Sequence, residues 1–428
     1  MTFPFWVVPQ SVLIAVLHLY LWWRLVRGTT APRSRIRRVA TLAVVVLGTL
    51  IPAALITTHT VDPTVSQWFA WPGYVWYGVL VYLLVILVLA EPVRITIGLA
   101  QRHRRRSAAS TRATAPVSPA VVPATAPPTM SPTPHGPDAP PDVTDDPPDD
   151  GPSERSVIER RRFLARSIAL VAGVGAAAIV GPGMVTALGP PRLEHTRVRL
   201  GRLPAQGAGY RIALVSDIHL GAMLGRGHTE RIVHLINRSV PDLIAIVGDL
   251  VDGTVSQLGG AAAPLRQLRS RHGAFFVTGN HEYISGAEPW LDELRELGIR
   301  PLENERTELP YFDLAGVNDL TGSDTGHGPD FGQALGDRDP SRPVVLLAHQ
   351  PAHVREAAER GVDLQLSGHT HGGQLFPLSL ITAAAQPTLA GWARYRDTQL
   401  YVTKGAGFWG PAVRVGAPPD ITIVELTS

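Results

Sequence analysis

Ile212-Ala213-Leu214-Val215-Ser216-Asp217-Ile218-His219 is a short apolar run that breaks off at a serine and opens into Asp-x-His. Four consecutive aliphatic residues bounded by polar ones suit a strand covered on both faces. The form recurs four times: Leu243–Val247 before Gly248-Asp249, Ala274–Val277 before Gly279-Asn280-His281, Val344–Ala348 before His349-Gln350-Pro351, and Asp363–Leu366 before Gly368-His369-Thr370-His371. Between these runs, His228–Ser239, Glu288–Leu297 and His353–Glu359 carry apolar residues at helical spacing. The alternation predicts an α/β domain built on a sheet. In such sheets ligands collect beyond the carboxyl ends of strands, so the five polar clusters are expected to meet at one site.

The clusters have the chemistry of a metal site. Asp217 with His219 and His369 with His371 are i, i+2 pairs, which point the same way from an extended backbone. Glycines before Asp249, Asn280 and His369 allow sharp turns or a close approach to a metal. The chain has no cysteine, which excludes disulfides and thiolate ligands and leaves nitrogen and oxygen donors. Asp217, His219, Asp249, Asn280, His349, His369 and His371 are too many ligands for one tetrahedral ion, but suit two ions sharing a carboxylate. Two ions about 3.5–4 Å apart can hold a bridging hydroxide and clamp both oxygens of an in-line phosphoryl displacement.

Asp-x-His, Gly-Asp, Gly-Asn-His, His and Gly-His-x-His in this order resemble the calcineurin-like metallophosphoesterase family, over about Leu214 to Glu425. The resemblance is strongest to the bacterial membrane-associated or twin-arginine-exported branch and to transmembrane proteins with a metallophosphoesterase domain. Branch-like stretches are Gly248-Asp249-Leu250-Val251-Asp252-Gly253, Ser367-Gly368-His369-Thr370-His371-Gly372-Gly373-Gln374 and Gly405-Ala406-Gly407-Phe408-Trp409-Gly410-Pro411. The resemblance implies a β-sandwich flanked by helices in four layers, preceded by transmembrane helices. It also implies two divalent ions, Mn, Fe or Zn. Asp217, His219, Asp249 and His371 would hold the first, and Asp249, Asn280, His349 and His369 the second. A metal-activated hydroxide would attack phosphorus while His281 protonates the leaving oxygen.

Two positions depart from the family pattern. Gly253 follows Asp252 where many relatives have a phosphate-binding arginine, which leaves Arg414 as a substitute or as a solvated surface residue. Glu282 replaces an aspartate after Gly-Asn-His and could orient His281 from a longer arm. Lys404-Gly405-Ala406-Gly407 reads either as a phosphate cradle or as a turn after a Leu400–Thr403 strand, and Phe408 and Trp409 as core or as a substrate wall. His228, His234, His272, His327 and His353 lie off the strand ends and read as surface or helix residues.

The N-terminal half has another character. Phe5–Val26, Val39–Thr58, Trp71–Leu99 and Phe163–Leu188 are each long enough to span a bilayer, which takes about 20 residues. The expected organisation is three transmembrane helices in 1–100, a disordered Pro/Ala/Asp-rich linker in 101–158, a fourth span in 159–189 and the catalytic domain in 190–428. Arginines crowd the loops after the first and third spans and precede the fourth, whereas His59–Gln67 has none, so the C-terminal domain is expected outside the cytoplasm. Arg160-Arg161-Arg162-Phe163-Leu164 before an apolar run reads either as a twin-arginine signal or as an ordinary inner flank.

Residues 1–189 carry 17 basic and 10 acidic side chains, and residues 190–428 carry 22 and 26, a net of −4. An acidic functional half argues against a nucleic-acid partner. The expected partners are the bilayer and a phosphoester substrate, lipid-linked or nucleotide. The leading expectation is a membrane-anchored phosphodiesterase or pyrophosphatase; the alternative is a catalytically silent metal-binding membrane sensor.

Overall fold

A computed structural model describes residues 7–113 and 154–428 of the chain. Four long helices come first: α1 (Val7–Leu21, extended by a π-helical turn to Arg27), α2 (Arg35–Thr60), α3 (Pro63–Ala113) and α4 (Glu154–Leu188). Within them Val7–Arg27, Arg35–Thr60, Pro63–Ala100 and Glu159–Leu188 are long and apolar enough to cross a membrane. The connection expected at His59–Gln67 shrinks to Val61 and Asp62. Asp62 accepts the Thr64 N–H at 2.9 Å, and Pro63 opens α3 at a position where its missing N–H costs no helical bond.

The expected linker is shortened at both ends, because α3 runs to Ala113 and α4 starts at Glu154. Gln101–Ala113 is rich in Arg and Ala, which are strong helix formers, and its positive charge suits the C-terminal end of a helix dipole. Residues 114–153 of that linker lie outside the described residues.

The C-terminal half folds into two packed sheets. The first runs β1 (Arg192–Arg199), β12 (Asp420–Thr427), β2 (Arg211–Val215), β3 (Leu243–Val247), β4 (Ala274–Val277) and β5 (Ile299–Pro301). The second runs β10 (Gly391–Tyr395), β11 (Thr398–Val402), β9 (Leu364–Ser367), β8 (Val344–Leu347), β7 (Asp313–Gly316) and β6 (Glu305–Glu308). β2 to β5 are parallel, as are β7, β8, β9 and β11, with antiparallel strands toward the edges.

Alternation along each strand explains the layers. Leu243, Ala245 and Val247 of β3 face the space between the sheets together with Val345 and Leu347 of β8. Ile244 and Ile246 point the other way, onto Ile232 and Ile236 of α5 (Arg226–Ser239) and Trp290 and Leu294 of α8 (Ala287–Glu296). The shorter α6 (Val255–Ala262) joins this outer layer, and α7 (Asn280–Ser285) follows β4. Across the second sheet, Val344 and Leu346 pack on α9 (Phe331–Leu335) and α10 (Val354–Glu359). The order is helix, sheet, sheet, helix, with every residue of β3 buried on one face or the other. Burying each such Leu, Ile or Val contributes about 1.5–3 kcal/mol, which is why β3, covered on both faces, contains no polar residue.

The two halves of the chain are packed together. Leu375 and Val413 of the sandwich share one apolar cluster with Ile51, Ala54, Tyr74 and Leu80 of the helices. The Tyr82 hydroxyl donates to the Phe376 carbonyl at 2.9 Å, and the Arg414 N–H donates to the Gly183 carbonyl at 3.0 Å.

Candidate metal centre

All five polar clusters leave the carboxyl ends of parallel strands, three from the first sheet and two from the second. They form groups whose ligand atoms lie within 4.8 Å of one another: Asp217, His219 and His371 in one, and Asp249, His349 and His369 in another. His219 Nε2 is 3.0 Å from His371 Nε2, and His371 Nε2 is 3.4 Å from Asp217 Oδ1. His349 Nε2 is 3.2 Å from Asp249 Oδ2 and 3.2 Å from His369 Nδ1. Asp249 Oδ2 also lies 3.8 Å from His219 Nε2, so this one oxygen stands between the groups.

The backbone is strained where the donors are mounted. Asp217, His219, Asp249, His369 and His371 all have positive φ, between 49° and 73°. For residues with a Cβ this costs on the order of 1–2 kcal/mol each. Cross-bonds between the loops hold the conformation. Asp217 N–H donates to Gly248 O at 3.1 Å, His219 N–H to Asp249 O at 3.1 Å, and Gly407 N–H to Asp217 O at 2.8 Å. Gly248 has φ +81°, and a Cβ there would stand 2.6 Å from Gly279 N and 2.7 Å from His349 Nδ1.

Outer partners fix the imidazoles. His349 Nδ1 is 2.8 Å from the Val247 carbonyl, which can only accept, so Nδ1 carries a proton and Nε2 faces Asp249. His219 Nδ1 is 3.0 Å from Asp252 Oδ1, which leaves its Nε2 toward His371. Burial and the Arg414 guanidinium push His371 well below the usual imidazole range. Burial opposes charge on His349, yet Asp249 outweighs it and holds the ring protonated, a positive charge that a bound cation would replace. Burial alone would raise Asp249, but His349 and His281 keep it ionised.

These residues fit divalent cations on two further counts. Every donor is a nitrogen or oxygen, and Asn280 Oδ1 is buried without a hydrogen-bond partner. A buried carbonyl oxygen left unpaired is costly unless something absent from the protein itself satisfies it.

His281 stands beside the ligand groups. Its Nδ1 is 2.7 Å from Asp252 Oδ1, its Nε2 4.0 Å from Asp249 Oδ2, and its ring meets Trp409 edge-on at 6.0 Å. Burial disfavours its charge, but Asp249 and Asp252 prevail and lift it to about 9. Asp252 itself is held far below the carboxylate range, because His219 and His281 outweigh its burial.

Several sequence expectations are corrected here. The Glu282 carboxylate is turned to the backbone and not to the His281 ring; it accepts the N–H groups of Asp249, Leu250 and Gly279, which the longer Glu arm reaches. Arg414 is buried, at 2% exposure, and donates to the carbonyls of His371, Lys404 and Gly407. A fully donating guanidinium that ties the His371 loop to the β11–β12 connection is neither a surface residue nor free for phosphate. The N–H groups of Lys404, Gly405, Ala406 and Gly407 are all bonded within the protein, so this stretch is a turn and not a cradle. Phe408 is core, whereas Trp409 is 43% exposed beside His281. His228 and His353 are buried and His234 and His327 exposed, and none of them belongs to a ligand group, while His272 stacks on Tyr210.

Asp252 was missed in its role, although its place three residues after Asp249 was the available signal. Nothing in the sequence pointed to the wall that the long helices supply. Thr58, His59, Ser66 and Tyr74, around the α2–α3 turn, line a cleft with His219, Asp252 and Trp409.

Residues 210–373 match the family model described as calcineurin-like phosphoesterase. A transmembrane protein with metallophosphoesterase domain from Danio rerio is 40% identical over 259 residues, covering 57% of this chain and 59% of that one. An uncharacterized metallophosphoesterase from Helicobacter pylori is 39% identical, covering 57% and 66%. Another from Aquifex aeolicus is 37% identical over 240 residues, covering 55% of this chain and 91% of that relative. The chain thus spans less than two thirds of the length of the first two relatives.

Proposed function

Because the chain belongs to the calcineurin-like metallophosphoesterases, we propose that it is a membrane-anchored phosphoester hydrolase, acting as a phosphodiesterase or pyrophosphatase on a lipid-linked or nucleotide-type ester. The single observation that carries this reading is the pair of donor groups that meet at Asp249 Oδ2, which lies 3.2 Å from His349 Nε2 and 3.8 Å from His219 Nε2, with Asn280 Oδ1 buried and unsatisfied. In this reading Asp217, His219 and His371 hold one ion, Asn280, His349 and His369 hold a second, and Asp249 serves both. The ions, when bound, would supply a Lewis-acid clamp on phosphoryl oxygens and lower the pKa of a water.

His281 contributes the proton. Its 2.7 Å contact with Asp252 orients the ring, and the neighbouring carboxylates keep it an imidazolium at neutral pH. An acid so placed beside the donor groups can protonate a departing alkoxide or phosphate oxygen. Trp409, edge-on to His281, borders the place where that group would lie.

Anchoring is supported by the four apolar helices and by their packing against the sandwich. The arginine-rich ends of these helices support a cytoplasmic face there, with the phosphoesterase domain on the other side.

The test uses the full chain in detergent with Mn²⁺ and paired p-nitrophenyl phosphomonoester and phosphodiester substrates. Chelation should abolish turnover. Asp249→Asn should lose metal and activity together, whereas His281→Ala should keep its metal and lose about 10²–10⁴-fold in kcat. Turnover that survives both substitutions and chelation would overturn the hydrolase reading.

A further inference from the structure

Directly after His371 the chain runs from Gly372 to Ala393 without one charged residue, a stretch of 22 residues. Phe376, Leu378, Leu380 and Ile381 within it are 52%, 36%, 64% and 72% exposed. The last two belong to the short helix α11 (Ser379–Ala385). Elsewhere in the domain, exposed large apolar side chains such as Val240, Ile284 and Leu320 stand singly. Four within six residues form a patch of the kind that marks an interaction surface.

The position of this patch along the helices decides what covers it. Arg94 in α3 and Arg166 in α4 belong to the basic end of the bundle. Tyr82, which donates to Phe376 O, is twelve residues from Arg94, or about 18 Å along the helix at 1.5 Å per residue. Gly183, which accepts from Arg414 N–H, is seventeen residues from Arg166, or about 25 Å. Both attachment points therefore fall short of the roughly 30 Å needed to leave the hydrocarbon core. Leu375 is already part of the apolar cluster of the helices.

Much of the backbone of the stretch meets the demand that lipid makes, which is that polar groups be satisfied internally. Phe376 N–H donates to Val415 O at 3.1 Å, Ser379 N–H to Leu375 O at 3.2 Å, Leu380 N–H to Pro377 O at 3.0 Å and Ile381 N–H to Leu378 O at 2.9 Å. The Phe376 carbonyl is occupied by Tyr82.

We infer that the segment Leu375–Ala385 of the phosphoesterase domain is embedded in the leaflet on that domain's side, with Phe376, Leu378, Leu380 and Ile381 among the lipid acyl chains. This goes beyond membrane anchoring by α1 to α4 but rests on that reading. The embedded segment starts four residues after His371, so it holds the metal centre at the level of the lipid headgroups, within reach of a membrane-borne phosphoester.

The chain has no cysteine, so single probes can be introduced cleanly. Ile381→Cys, Val46→Cys on an exposed face of α2, and Ser341→Cys in an exposed turn before β8 would each be labelled with an environment-sensitive fluorophore. The full chain is then placed in phosphatidylcholine vesicles with brominated acyl chains. The expected result is that the Ile381 probe loses as large a fraction of its emission as the Val46 probe, while the Ser341 probe is unaffected. Quenching at Val46 without quenching at Ile381 would overturn the embedding, assign the patch to water or to a protein contact, and leave the anchor intact. Loss of quenching at both would overturn the anchor and the embedding together.

Discussion

At the scale of single residues, the carboxylate of Asp252 is the hinge of the proposed chemistry. It faces His219 Nδ1 at 3.0 Å and His281 Nδ1 at 2.7 Å, and so orients a proposed ligand and the proposed acid together. His281 is lifted to about 9 because carboxylates outweigh its burial, and an acid must be protonated to act. Turnover should therefore fall as pH rises through the His281 pKa. Asp252→Asn removes one of the carboxylates, lowers that pKa and moves the descending limb of the kcat profile toward acid. Turnover should drop about 10- to 100-fold through lost orientation. A limb that stays in place while kcat falls would show that Asp252 acts on His219 alone.

At the scale of elements, the site is a set of strand-end loops pressed together more tightly than most side chains allow. A Cβ on Gly368 would fall inside van der Waals contact of Ser216 Oγ and Asp217 Oδ2, which belong to the loop after β2. Gly368 joins β9 in the second sheet to His369, so its lack of a side chain lets the two sheets' loops share one centre. Gly368→Ala should separate the two loops, at a cost of about 1–3 kcal/mol. Thermal unfolding with and without Mn²⁺ would read the cost, and the stabilisation by metal should shrink in the variant. Equal metal stabilisation in both proteins would mean that the loops can part without disturbing the donors.

At the scale of the whole molecule, the helices are more than a tether. Leu375 and Val413 are buried against them, and the α2–α3 turn borders the cleft beside His219 and Asp252. A fragment of residues 190–428 should expose this apolar seam. Size-exclusion chromatography should show aggregates that detergent disperses; a monodisperse fragment in plain buffer would mean the seam is dispensable.

The strands, the helices between them and the convergence of Asp217, His219, Asp249, His349, His369 and His371 were legible in the sequence because both faces of each central strand are buried and each run ends in ligand-type residues. Local pattern is sufficient for this, since a strand's burial is written into its own side chains. The long helices were legible for the same reason, through their uniform apolarity. What the tertiary structure alone decided are contacts between residues far apart in the chain. Asp252 with His281, Glu282 with the loop after β3, Arg414 beneath His371, and Thr58 and Tyr74 beside His219 belong to this group. A charged side chain carries no local mark of whether it will be solvated or fully donating inside the fold. Its role is set by which carbonyls, carboxylates and rings the packing of distant elements brings within about 3 Å.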